Sequence, residues 1–231
     1  NTRASFQGNL NRWIYPALGG YKLPEITPAQ ITTLLVEMQA KGKAHATVVK
    51  VYSILLGLFK MAYLSDMISK NPMDKVERPK PRKGEIKTDT ADAYTPEEVR
   101  AILGYLKQEP LKWQTFIHVL IDTGIRRGEC CGLQWKDIDF QAGEANICRN
   151  LCYTPKKGVY LDTPKNGKTR IVTISSDTLE LLRQLRLEQS ERAISPYVFT
   201  QDGTPEPMHP TSPTHYFRQF SMRYDVPGFH P

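Results

Sequence analysis

The sequence predicts a mainly α-helical chain with a small three-stranded antiparallel sheet, an α+β fold, and three observations predict it. Apolar residues recur three and four apart through most of the 231 residues, the period of helices with one buried face. Between residues 145 and 175 the period shortens: ANICRNLCY, KKGVYLDTP and TRIVTIS read as three short strands separated by Lys/Gly/Asn turns. RPKPRKGEIKTDTADA, from Arg78 to Ala93, offers almost nothing to bury and reads as a linker. The expected division is therefore a helical domain over 1–78, a basic linker over 79–93 and a second domain over 94–231.

Each element has a local cause. Residues 1–15 carry Phe6, Leu10, Trp13 and Ile14 at helical spacing, before PALGG turns the chain. The next helix starts with Thr27 as N-cap and Pro28 in its first turn, buries Ile31, Leu34, Leu35 and Met38, and closes on Gly42. In KAHATVVKVYSILLGLFKMAYLSDMI the buried stripe is Val48, Val51, Tyr52, Leu55, Leu58, Phe59 and Ala62. Beyond the linker, Thr95 caps a helix with Pro96 at its first position and acidic residues in its first turn. WQTFIHVLIDTG is apolar on most sides and reads as a central buried helix, with Leu133, Trp135 and Ile138 as core after it. Following the strands, TLELLRQLRLEQ turns Leu179, Leu182 and Leu185 inward. TSPTHYFRQFSMRYDV is the last helix, with Tyr216 and Tyr224 in its core face.

Composition narrows the function. With 40% hydrophobic and 24% charged residues, no apolar run near the length of a membrane span and no signal-peptide core at NTRASFQGNLNRW, a cytoplasmic protein without a membrane partner is expected. Cys130, Cys131, Cys148 and Cys152 fit neither a disulfide framework nor paired zinc-ligand spacing, so no metal site or cofactor is expected. The net charge of +7 favours an acidic partner. It is unevenly spread: residues 1–93 hold 14 Lys and Arg against 8 Asp and Glu, and residues 94–231 hold 17 against 16. A nucleic-acid-gripping module beside a more neutral one has this distribution, as does a merely solvated basic surface.

Two places concentrate the positive charge. Lys41, Lys43, His45, Thr47 and Lys50 surround the start of a long helix, where ammonium, hydroxyl and backbone N–H groups suit a phosphate; an exposed, capped helix start has the same look. Arg82 and Lys83 in the linker could follow a phosphate backbone. TGIRRGE, from Thr123 to Glu129, sets two arginines after a Thr-Gly helix break, so one helix stops at Gly124 and another restarts by Gly128. A guanidinium projecting from such a break is a rigid, permanently charged fork for phosphate. Further on, PKNGKTR carries Lys165, Lys168 and Arg170 on one turn.

TGIRRGE matches TGxRxGE, the first arginine box of the tyrosine recombinase or phage integrase family, and nearly the whole chain resembles integrases of phages and conjugative transposons. YPALGGYKLPEITPAQI resembles their helical core-binding domain, TPEEVRAIL the opening of their catalytic domain, and TPKNGKTRIVTI the hairpin that carries their catalytic lysine. The resemblance implies that Arg126 is catalytic, Arg127 occupies the variable position of the box, Glu129 supports the local geometry, and Lys165 is the general acid, with Lys168 as the other possibility. It implies double-stranded attachment-site DNA as the partner, contacted also by Lys41, Lys43, His45, Thr47, Lys50, Arg82, Lys83, Arg127, Lys168 and Arg170, and tetramers on two duplexes. The implied reaction is attack of a tyrosine hydroxyl on a phosphodiester, giving a 3′-phosphotyrosyl link and a 5′-hydroxyl. Guanidinium groups stabilise the charge building on phosphate, and a lysine protonates the leaving oxygen.

The sequence departs from the pattern at its end. The family's HxLRH box, with the second arginine, and the nucleophilic tyrosine would follow GFHP, so the 231 residues are expected to bind DNA and hold half an active site without cleaving. A non-catalytic or inhibitory DNA-binding fragment, and a helical DNA-binding regulator unrelated to recombination, are the alternatives.

Overall fold

Apolar stripes at helical spacing close into two separate hydrophobic cores, one in residues 1–93 and the other in 94–231. The computed structural model describes residues 2–82, 94–164, 167–191, 194–226 and 228–229.

The first unit opens with α1 (Thr2–Asn9), which continues through a wider π turn over Leu10–Ile14 into α2 (Tyr15–Leu18). The helical path therefore outlasts the turn expected at PALGG. Pro16 sits in the first turn of α2, where it lacks an N–H for the turn before it, and the chain leaves the helix only at Gly19. α3 (Pro28–Ala40) buries Ile31, Leu34, Leu35 and Met38; Thr27 caps it by accepting from Gln30 N–H, while the Gln30 side chain accepts from Thr27 N–H at 2.7 Å. α4 (His45–Leu64) buries Val48, Val51, Ile54, Leu55, Phe59 and Ala62 against it. By length and composition α4 could cross a membrane, which corrects the expectation that no such run exists. Its faces are nevertheless divided between this core and solvent, where Lys50 and Lys60 lie.

In the second unit, α5 (Pro96–Leu106) begins at a capping box in which Thr95 N–H donates to Glu98 at 2.7 Å. α6 (Leu111–Thr123) buries Thr115, Phe116, Ile117 and Val119; only its end, at Ile121 and Asp122, is exposed. α7 (Arg127–Cys131) is short, and its last two residues, Cys130 and Cys131, are fully buried. α8 (Ser176–Ser190) packs on α6 through Leu179, Leu182 and Leu185, and α9 (Ser212–Tyr224) closes the core with Phe217 and Phe220.

The strands differ from the expected set. ANICRNLCY supplies one strand to each of two sheets: β2 (Glu144–Ile147) lies between β1 (Ile138–Asp139) and β5 (Arg170–Thr173), whereas β3 (Asn150–Thr154) pairs with β4 (Gly158–Asp162). All pairings are antiparallel, with Ala145 opposite Val172 and Leu151 opposite Leu161. The reason lies at Arg149. It lies in the two-residue break between β2 and β3, where its charge is met by an ion pair to the Asp137 carboxylate, whose side chain is 6% exposed. The ladder breaks around that residue.

Candidate functional site

The geometry of TGIRRGE follows from its two ends. Gly124 terminates α6 in the left-handed region at φ 62°, a conformation that costs glycine nothing, and its N–H donates to the Leu120 carbonyl at 3.0 Å. Ile125 is buried and anchors the connection, after which Arg126 is extended. At the other end, Gly128 lies against β3. A Cβ there would stand 2.2 Å from Asn150 Oδ1 and 2.9 Å from the Leu151 carbonyl oxygen, so only glycine lets α7 approach this closely.

Glu129 is the centre of the arrangement. Its side chain is 1% exposed, yet it is charged and fully satisfied: Oε2 accepts from Arg126 N–H at 2.9 Å and Arg170 Nη2 at 2.6 Å, and Oε1 accepts from Arg126 Nη1 at 3.1 Å and Arg170 Nη1 at 3.2 Å. Burial alone would raise its pKa, but the bonds from Arg170 and from the Arg126 backbone and side chain outweigh it and hold the carboxyl below its ordinary value. The Arg126 side chain remains 55% exposed, with one of its five N–H donors used on Glu129. This is a positively charged fork fixed at its root and open at its tip.

Arg127 points elsewhere, donating through Nη1 to Thr214 Oγ1 at the start of α9. Lys168 is exposed beside Gly167, whose N–H donates to the Pro164 carbonyl at 2.7 Å. Lys165 lies outside the described residues, as does Lys83. In the first unit Lys41 and Lys50 are exposed, with Lys41 3.7 Å from Glu37, and the Lys43 ammonium lies 5.5 Å over the Trp13 ring. His45 and Thr47 are half-buried in the first turn of α4, whose N-cap, Ala44, offers no side-chain acceptor to the first N–H groups. Arg82 is exposed.

A second buried carboxylate escapes sequence reasoning. Glu109, between α5 and α6, is 6% exposed and accepts from the hydroxyls of Tyr216 and Tyr224, the latter at 2.8 Å, and from Arg223 Nη1. Burial opposes its charge, but these three donors prevail and lower its pKa. The Tyr216 phenol is pushed well up by burial and by its bond to Glu109. Tyr216 also stacks on Trp113 at 3.8 Å, and Tyr224 on Tyr105 at 4.7 Å. The available signal was a pair of tyrosines and an arginine on one apolar helix face, which require a buried acceptor. Cys130 and Cys131 are inert thiols, the latter pushed up to about 12 by burial.

A model of the phage integrase family matches residues 93–231. The ICEBs1 integrase of Bacillus subtilis (strain 168) is 26% identical over 191 residues, which cover 79% of this chain and 50% of that protein. The prophage integrase IntR of Escherichia coli (strain K12) is 30% identical over 145 residues, covering 62% and 32%. Among solved structures, the Tn1549 transposon integrase in complex with transposon right end DNA superposes with a TM-score of 0.81 at 20% identity, over 97% of this chain and 73% of that one. A lambda integrase dimer bound to a COC′ core site gives 0.74 at 18% identity, over 99% and 73%. The chain spans about half the length of the first of these curated relatives, or less of the second. The family model covers more than half of the sequence, and the helical units with their small sheets have the integrase fold: the chain belongs to the phage integrase family.

Proposed function

We propose that this chain supplies the DNA grip and the first-arginine half of the active site of a site-specific DNA recombinase. The observation that carries the reading is Arg126, rooted on buried Glu129 and open to an anion. Bound to a non-bridging phosphate oxygen, it stabilises the charge that builds as a tyrosine oxygen forms its bond to phosphorus and the 5′ oxygen leaves. The turn leading into β5 supplies Lys165 or Lys168 to protonate that oxygen. Glu129 orients Arg126, and the α3–α4 corner with Lys43, Thr47 and Lys50 grips the phosphate backbone of attachment-site DNA in the cytoplasm, as part of a tetramer.

A second reading is favoured by one observation: the hydroxyls of Tyr216 and Tyr224 are engaged by Glu109, so neither is a nucleophile as placed. On this reading neither tyrosine of α9 cuts the DNA that the chain binds. Duplex binding followed by mobility shift tests the grip, and Arg126→Ala is expected to weaken it roughly ten- to a hundredfold, the value of a hydrogen-bonded charge pair. Unchanged binding would remove Arg126 from the site. A nicked duplex resolved on a denaturing gel separates the two readings, since a covalent protein–DNA band requires a competent tyrosine.

A further inference from the structure

We propose that Arg170 is a positioning residue for Arg126, acting through Glu129 and not by touching DNA itself; the functional half of this statement rests on the reading of Arg126 given above. Glu129 has about four acceptor sites, and all four are filled, two by Arg126 and two by the Arg170 fork. With its side chain 1% exposed, Glu129 has no solvent to fall back on. Arg170 stands on a strand, opposite Ile147 in the β2–β5 ladder, so its fork is delivered from a rigid element.

Removing Arg170 changes two things at Arg126. The charge summed over Arg126, Glu129 and Arg170 falls from one positive to zero, so the attraction for phosphate drops. Two acceptor sites on Glu129 are then emptied, and the guanidinium already bound to that carboxylate is Arg126. It turns from a single bond to a fork on Glu129 and withdraws from the solvent side. Arg170 therefore keeps the carboxylate occupied, which leaves the tip of Arg126 for its ligand. It also ties the end of the lysine-bearing turn to the arginine box, because β5 begins at Arg170 itself.

Duplex-DNA affinities of the whole chain, as wild type, R126A, R170A, R170K and R126A/R170A, decide the matter through a double-mutant cycle. R126A is expected to bind roughly ten- to a hundredfold more weakly, and R170A about tenfold more weakly. The double variant should lose clearly less than the product of the two single losses, because once Arg126 is gone only the charge of Arg170 remains to be lost and not its hold on Arg126, and R170K should recover part of the loss by returning the charge without the fork. Independent losses that multiply in full would make Arg170 a DNA contact of its own and overturn the proposal, as would wild-type affinity in R170A. A second measurement needs no DNA. In proton–nitrogen correlation spectra the Arg126 Nε–H resonance should shift in R170A, and in R170K if R170A fails to fold; an unmoved resonance overturns the positioning role. If R126A alone leaves DNA binding intact, the function proposed for Arg126 fails, while the spectrum still decides whether Arg170 positions it.

Discussion

At the scale of single residues, the site is built on a carboxylate that would be intolerable alone. Glu129 is held ionised by two guanidinium groups, and Glu109 by two phenols and a third guanidinium. Both carboxyls lie below their ordinary value of 4.5 in the fold, so both contribute stability that is present above that value and lost as pH falls through their lowered values. Thermal melts between neutral and acidic pH should show the melting temperature of the wild type falling below pH 4.5, and Glu129→Gln should flatten part of that fall. An E129Q profile as steep as that of the wild type would count against a lowered Glu129. Gly128 gives a second residue-scale prediction. A methyl group there meets Asn150 Oδ1 at 2.2 Å and the Leu151 carbonyl at 2.9 Å, and the carbonyl is backbone that cannot swing away. Gly128→Ala should cost about 1–3 kcal/mol in urea unfolding, the usual penalty of overpacking. Pairing it with Asn150→Ala should return only the side-chain share.

At the scale of elements, α9 is held by its edge as much as by its core. Phe217 and Phe220 fill the interior, while Tyr216, Arg223 and Tyr224 converge on Glu109, and Thr214 takes the Arg127 guanidinium. Glu109→Gln keeps the shape but faces three donors with an amide that carries two donors of its own. The second unit should lose about 2 kcal/mol, and α9 should become the first site of limited proteolysis. Resistance equal to the wild type would mean that the aromatic packing suffices. What the sequence made legible, and what it did not, divides along the same line. Helix starts were readable because caps and prolines act within four residues, as at Thr27 and Thr95, and the break at Gly124 because only a left-handed residue stops α6 there. Arg126 and Glu129 are likewise three residues apart. The partners of Glu129 and Glu109 that come from β5 and α9 were hidden, since residues 41 and 107 apart meet only once the sheet register and helix packing exist. Arg170 was visible as a charge and not as a partner. The split of ANICRNLCY was equally invisible, because it depends on Asp137 waiting for Arg149.

At the scale of the whole molecule, the uneven charge makes a prediction about salt. Residues 1–93 carry nearly all the positive excess, and in the described part of that unit Lys50 and Arg82 are exposed while Lys43 lies on Trp13 and Lys41 is near Glu37. Each cation that neutralises a phosphate releases a condensed counterion, so the logarithm of the binding constant falls with the logarithm of salt concentration by about 0.9 per contact. Lys50→Ala should therefore weaken duplex binding about equally for unrelated DNA sequences and lower the salt slope by about one. Lys41→Ala should change the slope less, because its ammonium already has a carboxylate at 3.7 Å and would exchange one partner for another. Arg126→Ala should lower the slope by a similar step to Lys50→Ala, since any phosphate contact releases a counterion. The two differ in strand-transfer chemistry. In the recombination reaction, losing a grip on ground-state phosphate weakens binding of substrate and transition state alike, whereas losing Arg126, in the role proposed for it, also removes a donor to the additional charge that develops in the transition state. With DNA at saturation, cleavage by a recombinase carrying this chain should thus recover for Lys50→Ala and stay roughly a hundredfold or more slower for Arg126→Ala. Equal recovery of both variants would place Arg126 in the grip and out of the chemistry.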